Sequence, residues 1–311
     1  MQCRALRRAL IAAGYNEAIN FSFIDASHDD QIDPVPGCEP PRHQDALVVL
    51  QNPIVEDVVS MRPTLIPGLL DSLRHNLNHG RKDVLLFEIG RIFSSGETGE
   101  LPRERDALAL IASGGVTEQE RAQAMRQVDF QDLKGALEAA VDATRMTSLT
   151  FEVARVKHLR EGQTAAVNLN GSAIGSAGRL SEEIAAAYKF RQPVYVAEID
   201  LAALFSAKMM SVQYHPLDRF PAVVRDVTLL VGRDVTFAGM IQTVLDQKVA
   251  HCRNVRLVGV YEGPNIPEDK RSITLRIEYR ADERTLRDDE VEEVHRRIVD
   301  VLALEFDAQL H

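Results

Sequence analysis

The sequence predicts an α+β protein of two domains, one over residues 1–210 and the other over residues 217–311. Its 311 residues, of which 45% are hydrophobic, exceed the roughly 250 to 300 residues at which a single core stops growing. Strand-like runs outnumber helical runs up to about Leu204, and a regular alternation of the two begins after the junction. The junction, SVQYHPLDRFPAV from Ser211, has two prolines and no hydrophobic period, as is typical of a segment between domains.

The first domain alternates strand-like and helical segments, which favours a mixed or antiparallel sheet that carries helices. A short amphipathic helix follows Met1 and ends at Gly14, and a proline-rich stretch over residues 28–45 is expected to be a long surface loop. A helical stripe also runs from Phe130 to Val141. The short apolar runs that remain are predicted strands: VLLFEIGRIF, DALALIASG, LTFEVARV, AAVNLNGSAIGSAGRL and PVYVAEIDL.

Leucines recur every fourth residue from Leu65 to Leu77 and predict a helix that begins near Pro63 and ends at Gly80. Further apolar residues precede this helix from Ile54 onward. Together they offer more apolar surface than one small module needs to cover. We therefore expect part of the segment from Ile54 to Leu77 to pack against another protein chain.

The second domain has the regular order β-α-β-β-α-β. Its segments are DVTLLV, TFAGMIQTVLDQKV, VRLVGVYEG, SITLRIEYR, DDEVEEVHRRIVDVL and EFDAQL. This order predicts the ferredoxin-like split βαβ arrangement, which is a four-stranded antiparallel sheet with both helices on one face. The strand from Ser272 to Arg280 alternates apolar with polar residues and is expected to be an inner strand beside Asp226–Val231. Its polar side then faces away from both helices.

Composition excludes several classes of protein. The net charge of −10 gives no global basic field, so a polyanionic partner must be held locally. Cys3, Cys38 and Cys252 have no CxxC spacing, which favours reduced thiols in a cytoplasmic protein. No run of about 18 apolar residues is present, so no membrane span is expected. A soluble, cytoplasmic protein is the prediction.

Motifs for catalysis, cofactors and metals are weak. The glycines in NGSAIGSAGRL do not have GxGxxG spacing, and turns between strands are the simpler interpretation. His75 and His79 have the i, i+4 spacing of metal ligands, but no carboxylate or cysteine completes a set. No serine or cysteine has an assignable base. We therefore predict no catalytic residue, metal or cofactor in this chain.

The polar side of the strand Ser272–Arg280 is the remaining candidate site. From Lys248 to Arg287 there are nine Lys or Arg against six Asp or Glu, a local balance of +3. Exposed strands with alternating Arg and Glu are often only a soluble surface. A four-stranded open sheet with arginine and occasional aromatic residues also suits unstacked bases and phosphates.

Two sets of segments carry a resemblance to a known family. RFPAVVRDVTLLV and VGVYEGPNIPEDKRSITLRIEYRADERTLRDDEVEEV resemble the ferredoxin-fold anticodon-binding domain that closes the beta subunit of bacterial phenylalanyl-tRNA synthetases. GYNEAINFSF, QNPIVEDVVSMRPTLIPGLLDSLRHNLNHG and DVLLFEIGRIF are similar to the core module of the same subunit. The two matches cover nearly the whole chain.

The resemblance implies that the first domain is a class II synthetase-like module without catalytic function. The region that would hold the family's glycine-rich adenylate motif reads PVYVAEIDLAALF, so catalysis is expected in a separate alpha subunit. ATP and magnesium then belong to the complete enzyme, which is an (alpha-beta)2 assembly. The editing pocket and the acidic motif associated with magnesium lie upstream in the family, and this chain corresponds to the C-terminal part of the subunit.

The resemblance also implies that the second domain binds the anticodon arm of tRNA(Phe), and Arg225, Arg276 and Arg280 are the predicted tRNA-binding residues. Arg287 stands where the family usually has a threonine, so the following helix is expected to be capped by Asp288 or Thr285. The alternative is a stand-alone regulatory protein whose ferredoxin-like domain senses a small ligand and has no tRNA partner.

Overall fold

A computed structural model describes residues 2–24, 32–36, 38, 47–52, 60–96, 101–116, 126–211, 214 and 217–310. The chain forms two compact units, Met1–Val212 and Gln213–His311. The helices are α1 (Gln2–Ala12), α2 (Ile66–Asn78), α3 (Phe130–Asp142), α4 (Glu182–Ala187), α5 (Leu201–Ser206), α6 (Phe237–Asp246) and α7 (Asp288–Glu305). The strands are β1 (Asn16–Glu17), β2 (Phe23–Ile24), β3 (Ser60–Met61), β4 (Val84–Ser94), β5 (Arg103–Ser113), β6 (Thr150–Val153), β7 (Leu159–Leu169), β8 (Ser172–Leu180), β9 (Val194–Asp200), β10 (Val223–Gly232), β11 (Cys252–Tyr261), β12 (Lys270–Tyr279) and β13 (Gln309–Leu310).

The first unit is built on a seven-stranded sheet of order β1-β4-β5-β9-β8-β7-β6. Strand β1 is parallel to β4, and the other neighbouring pairs are antiparallel. Each face of the sheet has its own core. Residues of α1, α3 and α5 pack on one face, and residues of α2 and α4 pack on the other. Since β5 contributes Leu108 and Leu110 to one core and Ala109 and Ile111 to the other, it is a central strand buried on both faces.

Helix α2 begins at Ile66 and ends at Asn78, which is shorter than the predicted span from Pro63 to Gly80. Its apolar face belongs to the chain's own core. Leu69 is 1% exposed, and Leu65, Leu70 and Leu73 are fully buried. The expectation that part of the segment from Ile54 to Leu77 packs against another chain is therefore wrong for these leucines, because the sheet already covers them, and for the rest of the segment it stays a prediction. Residues 53–59, which include the apolar run from Ile54, lie outside the described residues.

The described part of the predicted surface loop, residues 32–36 and 38, is partly internal. Ile32, Val35 and Cys38 are buried against the α2 side of the sheet. Asp33 fixes their position, because its carboxylate accepts a hydrogen bond from the Lys157 amide at 2.7 Å. These described residues have no regular secondary structure, as the proline-rich composition predicted. The composition did not indicate that three of their apolar side chains are buried.

The second unit has the predicted four-stranded antiparallel sheet, in the order β11-β12-β10-β13. Strand β12 is an inner strand, as expected, and pairs with β10 from Val223 opposite Tyr279 to Gly232 opposite Lys270. Alternate residues of both strands, including Leu229 and Leu275, join α6 and α7 in one core. The helices thus cover one face of the sheet and leave the other open, as the split βαβ order predicts.

The start of α7 differs from the prediction. Arg287 is the N-cap residue, rather than Asp288 or Thr285. An arginine side chain has no acceptor, so it cannot cap the first turn. Instead the Glu290 carboxylate accepts the Arg287 amide at 3.1 Å, and both of its oxygens accept from Arg284 at 2.7 Å. These bonds hold the pKa of Glu290 well below its usual range.

Two of the compositional expectations concern membranes and thiols. Among the described residues, every helix is too short or too polar to cross a membrane. Cys3 and Cys252 are free thiols within the part of the chain that the structure describes.

Candidate nucleic-acid interface

The open face of the second unit is formed by residues that alternate with the buried ones along three strands. In β10 these are Asp226, Thr228 and Leu230, in β12 they are Thr274, Arg276 and Glu278, and in β11 they include Asn254 and Arg256. The hydroxyls of Thr228 and Thr274 lie 3.0 Å apart and join the two inner strands at the centre of this face. The face is polar and mixed in charge rather than uniformly basic.

Arg276 lies on the open face but is already paired with a carboxylate. Its Nε and Nη2 donate to the two oxygens of Asp226 at 2.8 and 2.7 Å, across the strand pair. These hydrogen bonds raise the pKa of Arg276 and lower the pKa of Asp226. Both side chains remain about two-fifths exposed. Arg276 can therefore be reached from solvent, but an incoming phosphate has to share it with Asp226 or displace that carboxylate.

Arg280 follows the end of β12 and is more enclosed. Its guanidinium pairs with Asp218 and, at 2.9 Å, with Glu278 on the open face. Its side chain is 20% exposed. Two carboxylates around one guanidinium leave a net negative local charge, so Arg280 is a weaker candidate for phosphate contact than the alternation pattern indicated.

The structure does not bring Arg225 to the open face. Arg225 pairs in register with Ile277, a core residue, and therefore lies on the helix-covered side of β10. Its Nη2 donates to Asp288, the first residue of α7, at 2.8 Å. Arg276 and Arg280 thus share one side of the sheet, and Arg225 stabilises the contact between the other side and α7.

Arg256 on β11 is a basic residue of this face that the sequence-based selection missed. It is the register partner of Arg276 on the neighbouring strand, so the two side chains lie next to each other on one face. Within the described residues Arg256 has no ion pair, and it is exposed. The row Asp226, Arg276, Arg256 across three strands carries one net positive charge. The alternation of Asn254 and Arg256 with apolar residues could have revealed it.

Tyr261 is an aromatic residue of the open face. A bulge between Leu257 and Gly259 shifts the register of β11, so that Tyr261 pairs with Ser272 and lies on the same side as Arg256. Its side chain is 55% exposed. The phenol lies over Gly263, where a Cβ atom would come within 1.9 Å of its oxygen, so any larger residue would displace the ring. Tyr279, by contrast, is fully buried and its hydroxyl lies 2.9 Å from Nδ1 of His295.

The first unit has a buried charged cluster where its central strands meet α2. Arg62 pairs with Glu88 at 2.7 Å, and both are almost completely buried. Glu198 on β9 accepts the Leu65 amide at 2.7 Å and the Thr64 hydroxyl, which fixes the start of α2. Burial raises the pKa of Glu198 to about 7. The charges and hydrogen-bonding groups of this cluster are paired with one another between the helix and the sheet. We therefore interpret the cluster as part of the folded core rather than as a reactive site.

The two histidines considered as metal ligands, His75 and His79, lie at the C-terminal end of α2 and contact each other there. The rings of His75 and His79 lie 4.1 Å apart, and Nδ1 of His79 lies 2.7 Å from the His75 carbonyl oxygen. That nitrogen must carry its proton to donate to the carbonyl, so it is not available as a metal ligand. In the part of the chain that the structure describes, no group of three or more His, Cys, Asp or Glu side chains could hold a metal ion.

Each of the two units matches the model of a known protein family. The model of the phenylalanyl tRNA synthetase beta chain CLM domain matches residues 2–201, and that of the ferredoxin-fold anticodon binding domain matches residues 218–311. The chain belongs to the phenylalanyl-tRNA synthetase beta chain family. This confirms the resemblance and the α+β fold class, and it does not favour the stand-alone regulatory alternative.

Curated members of the phenylalanyl-tRNA synthetase beta chain family are similar over almost the whole chain. The phenylalanine–tRNA ligase beta subunit of Syntrophotalea carbinolica is 30% identical over 99% of this chain and 38% of its own length. Those of Geobacter sulfurreducens and Pseudomonas fluorescens are 31% and 34% identical over 99% and 98% of this chain, and over 38% and 37% of their own lengths. The chain therefore spans less than two-fifths of the length of these relatives.

Proposed function

We propose that this chain is the C-terminal part of a phenylalanine–tRNA ligase beta subunit and that its second unit holds the anticodon arm of tRNA(Phe). The first unit then docks a catalytic alpha subunit within a cytoplasmic (alpha-beta)2 assembly. The observation that carries the proposal is the open face of a sheet that belongs to an anticodon-binding family and bears Arg276 beside Arg256. The chain takes part in ATP-dependent phenylalanylation of tRNA through binding, and ATP and magnesium act in the complete enzyme.

The open face can bind RNA in two ways. Arg256, which has no ion pair within the described residues, is ready to meet a phosphate, and Arg276 can join it when Asp226 is displaced. Tyr261 presents a half-exposed ring at the end of the same face, where an unstacked base could lie against it. Asp226 and Glu278 repel phosphates elsewhere, so the mixed charge restricts where a strand can lie.

The first unit supports a scaffold role. Its charged residues at the sheet centre, Arg62, Glu88 and Glu198, are buried and paired with one another or with the backbone. A substrate could reach them only if α2 moved away from the sheet. The unit therefore contributes a folded surface for the alpha subunit rather than reacting groups.

The test is the affinity for tRNA(Phe) across a salt series, in enzyme reconstituted with an alpha subunit. Arg276→Gln and Arg280→Gln are compared singly and together, with Arg233→Gln as the control, because Arg233 is exposed and, like them, paired with a carboxylate, but lies after the end of β10. A phosphate contact at Arg276 should lower the slope of log affinity against log salt by about 0.7 to 0.9. The effect should be similar for different anticodon sequences.

A base contact gives a different result, because losing it should discriminate among anticodon variants. Unchanged affinity and slope in the Arg276→Gln, Arg280→Gln double variant, with folding intact, would mean that neither arginine contacts tRNA. If Arg256→Gln also has no effect, the open face is not the interface.

A further inference from the structure

A cluster of exposed basic residues, without ion-pair partners among the described residues, lies at one end of the first unit. We call it the basic end surface and define it by Arg81, Lys82, Lys189 and Arg191, all of which are exposed. Two of them precede β4 and two precede β9. The surface draws on two segments separated by about a hundred residues of sequence, so no continuous charge run marks it.

The fold brings these two segments together through the central strands. Val84 of β4 pairs with Ser113 of β5, which pairs with Val194 of β9, so the strand ends lie in one row. Two strand spacings separate β4 from β9 by about 10 Å. The Gln192 amide donates to the Lys82 carbonyl at 2.9 Å, and the Ser113 hydroxyl donates to the Pro193 carbonyl at 2.9 Å. The two backbone segments that carry the basic residues are therefore held close together.

The four cations lack counter-charges. Within the described ranges none of them is paired with a carboxylate. Asp83, next to Lys82, keeps its charge but accepts the Gly115 amide at 2.6 Å instead of pairing with one of these cations, and Glu182 pairs with Arg160 at 2.9 Å. In a chain with a net charge of −10, four unpaired cations at one sheet end form a local positive field.

A cleft of about 350 Å³ opens beside Lys189, one of these four cations. It is lined by Arg74, Leu77, Asn78, Ala187, Tyr188, Lys189 and Phe190. The rings of Tyr188 and Phe190 are stacked with their centroids 5.5 Å apart, and the Arg74 guanidinium lies 5.3 Å from the Tyr188 centroid. Phe190 lines the cleft and is only partly buried, so part of its ring is accessible there.

We propose that the basic end surface binds single-stranded or looped RNA, with phosphates on the four cations and a base in the cleft against Phe190. Sites for single strands combine a basic groove that follows the backbone with aromatic side chains on which bases stack. An acidic protein partner would explain the cations but not the aromatic cleft. The proposal gives the first unit an RNA contact of its own, beyond the scaffold role and separate from the open face of the second unit.

The test uses the whole 311-residue chain and a short fluorescent single-stranded RNA of mixed sequence, with affinity measured by anisotropy across a salt series. The variant Lys82→Gln, Arg191→Gln removes two cations from the basic end surface. The control Arg4→Gln, Arg8→Gln removes two exposed cations from α1 and has the same net charge. The first variant should lower the salt slope by about 1.4, from two contacts at about 0.7 each on a single strand, and the control should leave it almost unchanged.

Phe190→Leu separates stacking from charge. It should lower affinity several-fold while leaving the salt slope unchanged, because it removes a ring but no cation. Equal effects of the two double variants, or no effect of either, would overturn the proposal. So would a loss of alpha-subunit association in the Lys82, Arg191 variant with RNA affinity unchanged, since the surface would then bind protein.

Arg276→Gln in the same assay distinguishes this proposal from the proposed function. If binding of this RNA depends on the basic end surface and not on Arg276, this inference stands, and the anticodon assignment of the second unit is decided separately by the tRNA(Phe) salt series. If it depends on Arg276 and not on the basic end surface, this inference is overturned while the proposed function is unaffected.

Discussion

Replacing the buried carboxyl of Glu198 with an amide is expected to stabilise the first unit at neutral and alkaline pH. Glu198 is 2% exposed and accepts hydrogen bonds from the Leu65 amide and the Thr64 hydroxyl. Burial nevertheless raises its pKa from 4.5 to about 7, and the nearby Glu88 acts in the same direction while Arg62 opposes it. The folded chain therefore binds this proton more tightly than the unfolded chain does.

The sign and size of the effect follow from that difference in pKa. The protonated Glu198 carboxyl stabilises the folded state fully below about pH 4.5, and this contribution is lost as the pH rises through about 7. A difference of about 2.5 pKa units at about 1.4 kcal/mol each corresponds to roughly 3 kcal/mol of folding free energy. Glu198→Gln has no proton to lose, and its amide can keep the acceptor for Leu65. Relative to the parent chain, its stability should rise with pH by up to about 3 kcal/mol.

Urea unfolding followed by circular dichroism, at intervals between about pH 5 and about pH 8.5, measures this difference. The control is Glu152→Gln on β6, where the side chain is exposed and its charge is solvated in both states. A constant offset between the Glu198→Gln variant and the parent would reflect packing alone. An offset that does not change with pH would therefore refute the inference that Glu198 takes up a proton in the folded state.

Three further outcomes are expected. Asp226→Asn should strengthen tRNA binding by about two- to fivefold, because it frees Arg276 from a weak, exposed ion pair; weaker binding would contradict a phosphate contact there. Leu70→Ala should reduce the free energy of unfolding by about 3 kcal/mol, while Leu101→Ala, which is 88% exposed, should leave it unchanged; equal stabilities would mean that α2 is not a core helix. The chain alone should not support phenylalanine-dependent exchange of pyrophosphate with ATP, and measurable exchange would oppose the scaffold role.

Alternation in the sequence was sufficient to predict β12 and its two faces. Ile273, Leu275, Ile277 and Tyr279 are buried, and the intervening residues face away from the helices. The reason is that the side-chain period of a strand is two, whatever the strand pairs with. The same period misleads on β11, where the bulge between Leu257 and Gly259 moves Tyr261 to the side of Arg256. A bulge depends on the pairing of two strands and leaves little trace in either one alone.

Partners of charged residues could not be predicted from spacing. Asp226 lies fifty residues from Arg276, and Asp288 lies sixty-three residues from Arg225. Only the register of β10 with β12 and the docking of α7 bring each pair together. The apolar stripe of α2 likewise predicted a helix correctly, but the sequence does not state whether a sheet of the same chain or another protein covers that stripe.

The most direct test of the central claim is to map where an RNA hairpin with the tRNA(Phe) anticodon stem and loop contacts the chain. Amide chemical shifts of the second unit, recorded during titration with the hairpin, report on each face of the sheet separately. If the open face holds the anticodon arm, the largest changes occur at open-face residues such as Arg256, Thr274, Arg276 and Tyr261, and the exposed side of α7 changes little. Changes confined to α6 and α7, or no binding by a correctly folded chain, would contradict it.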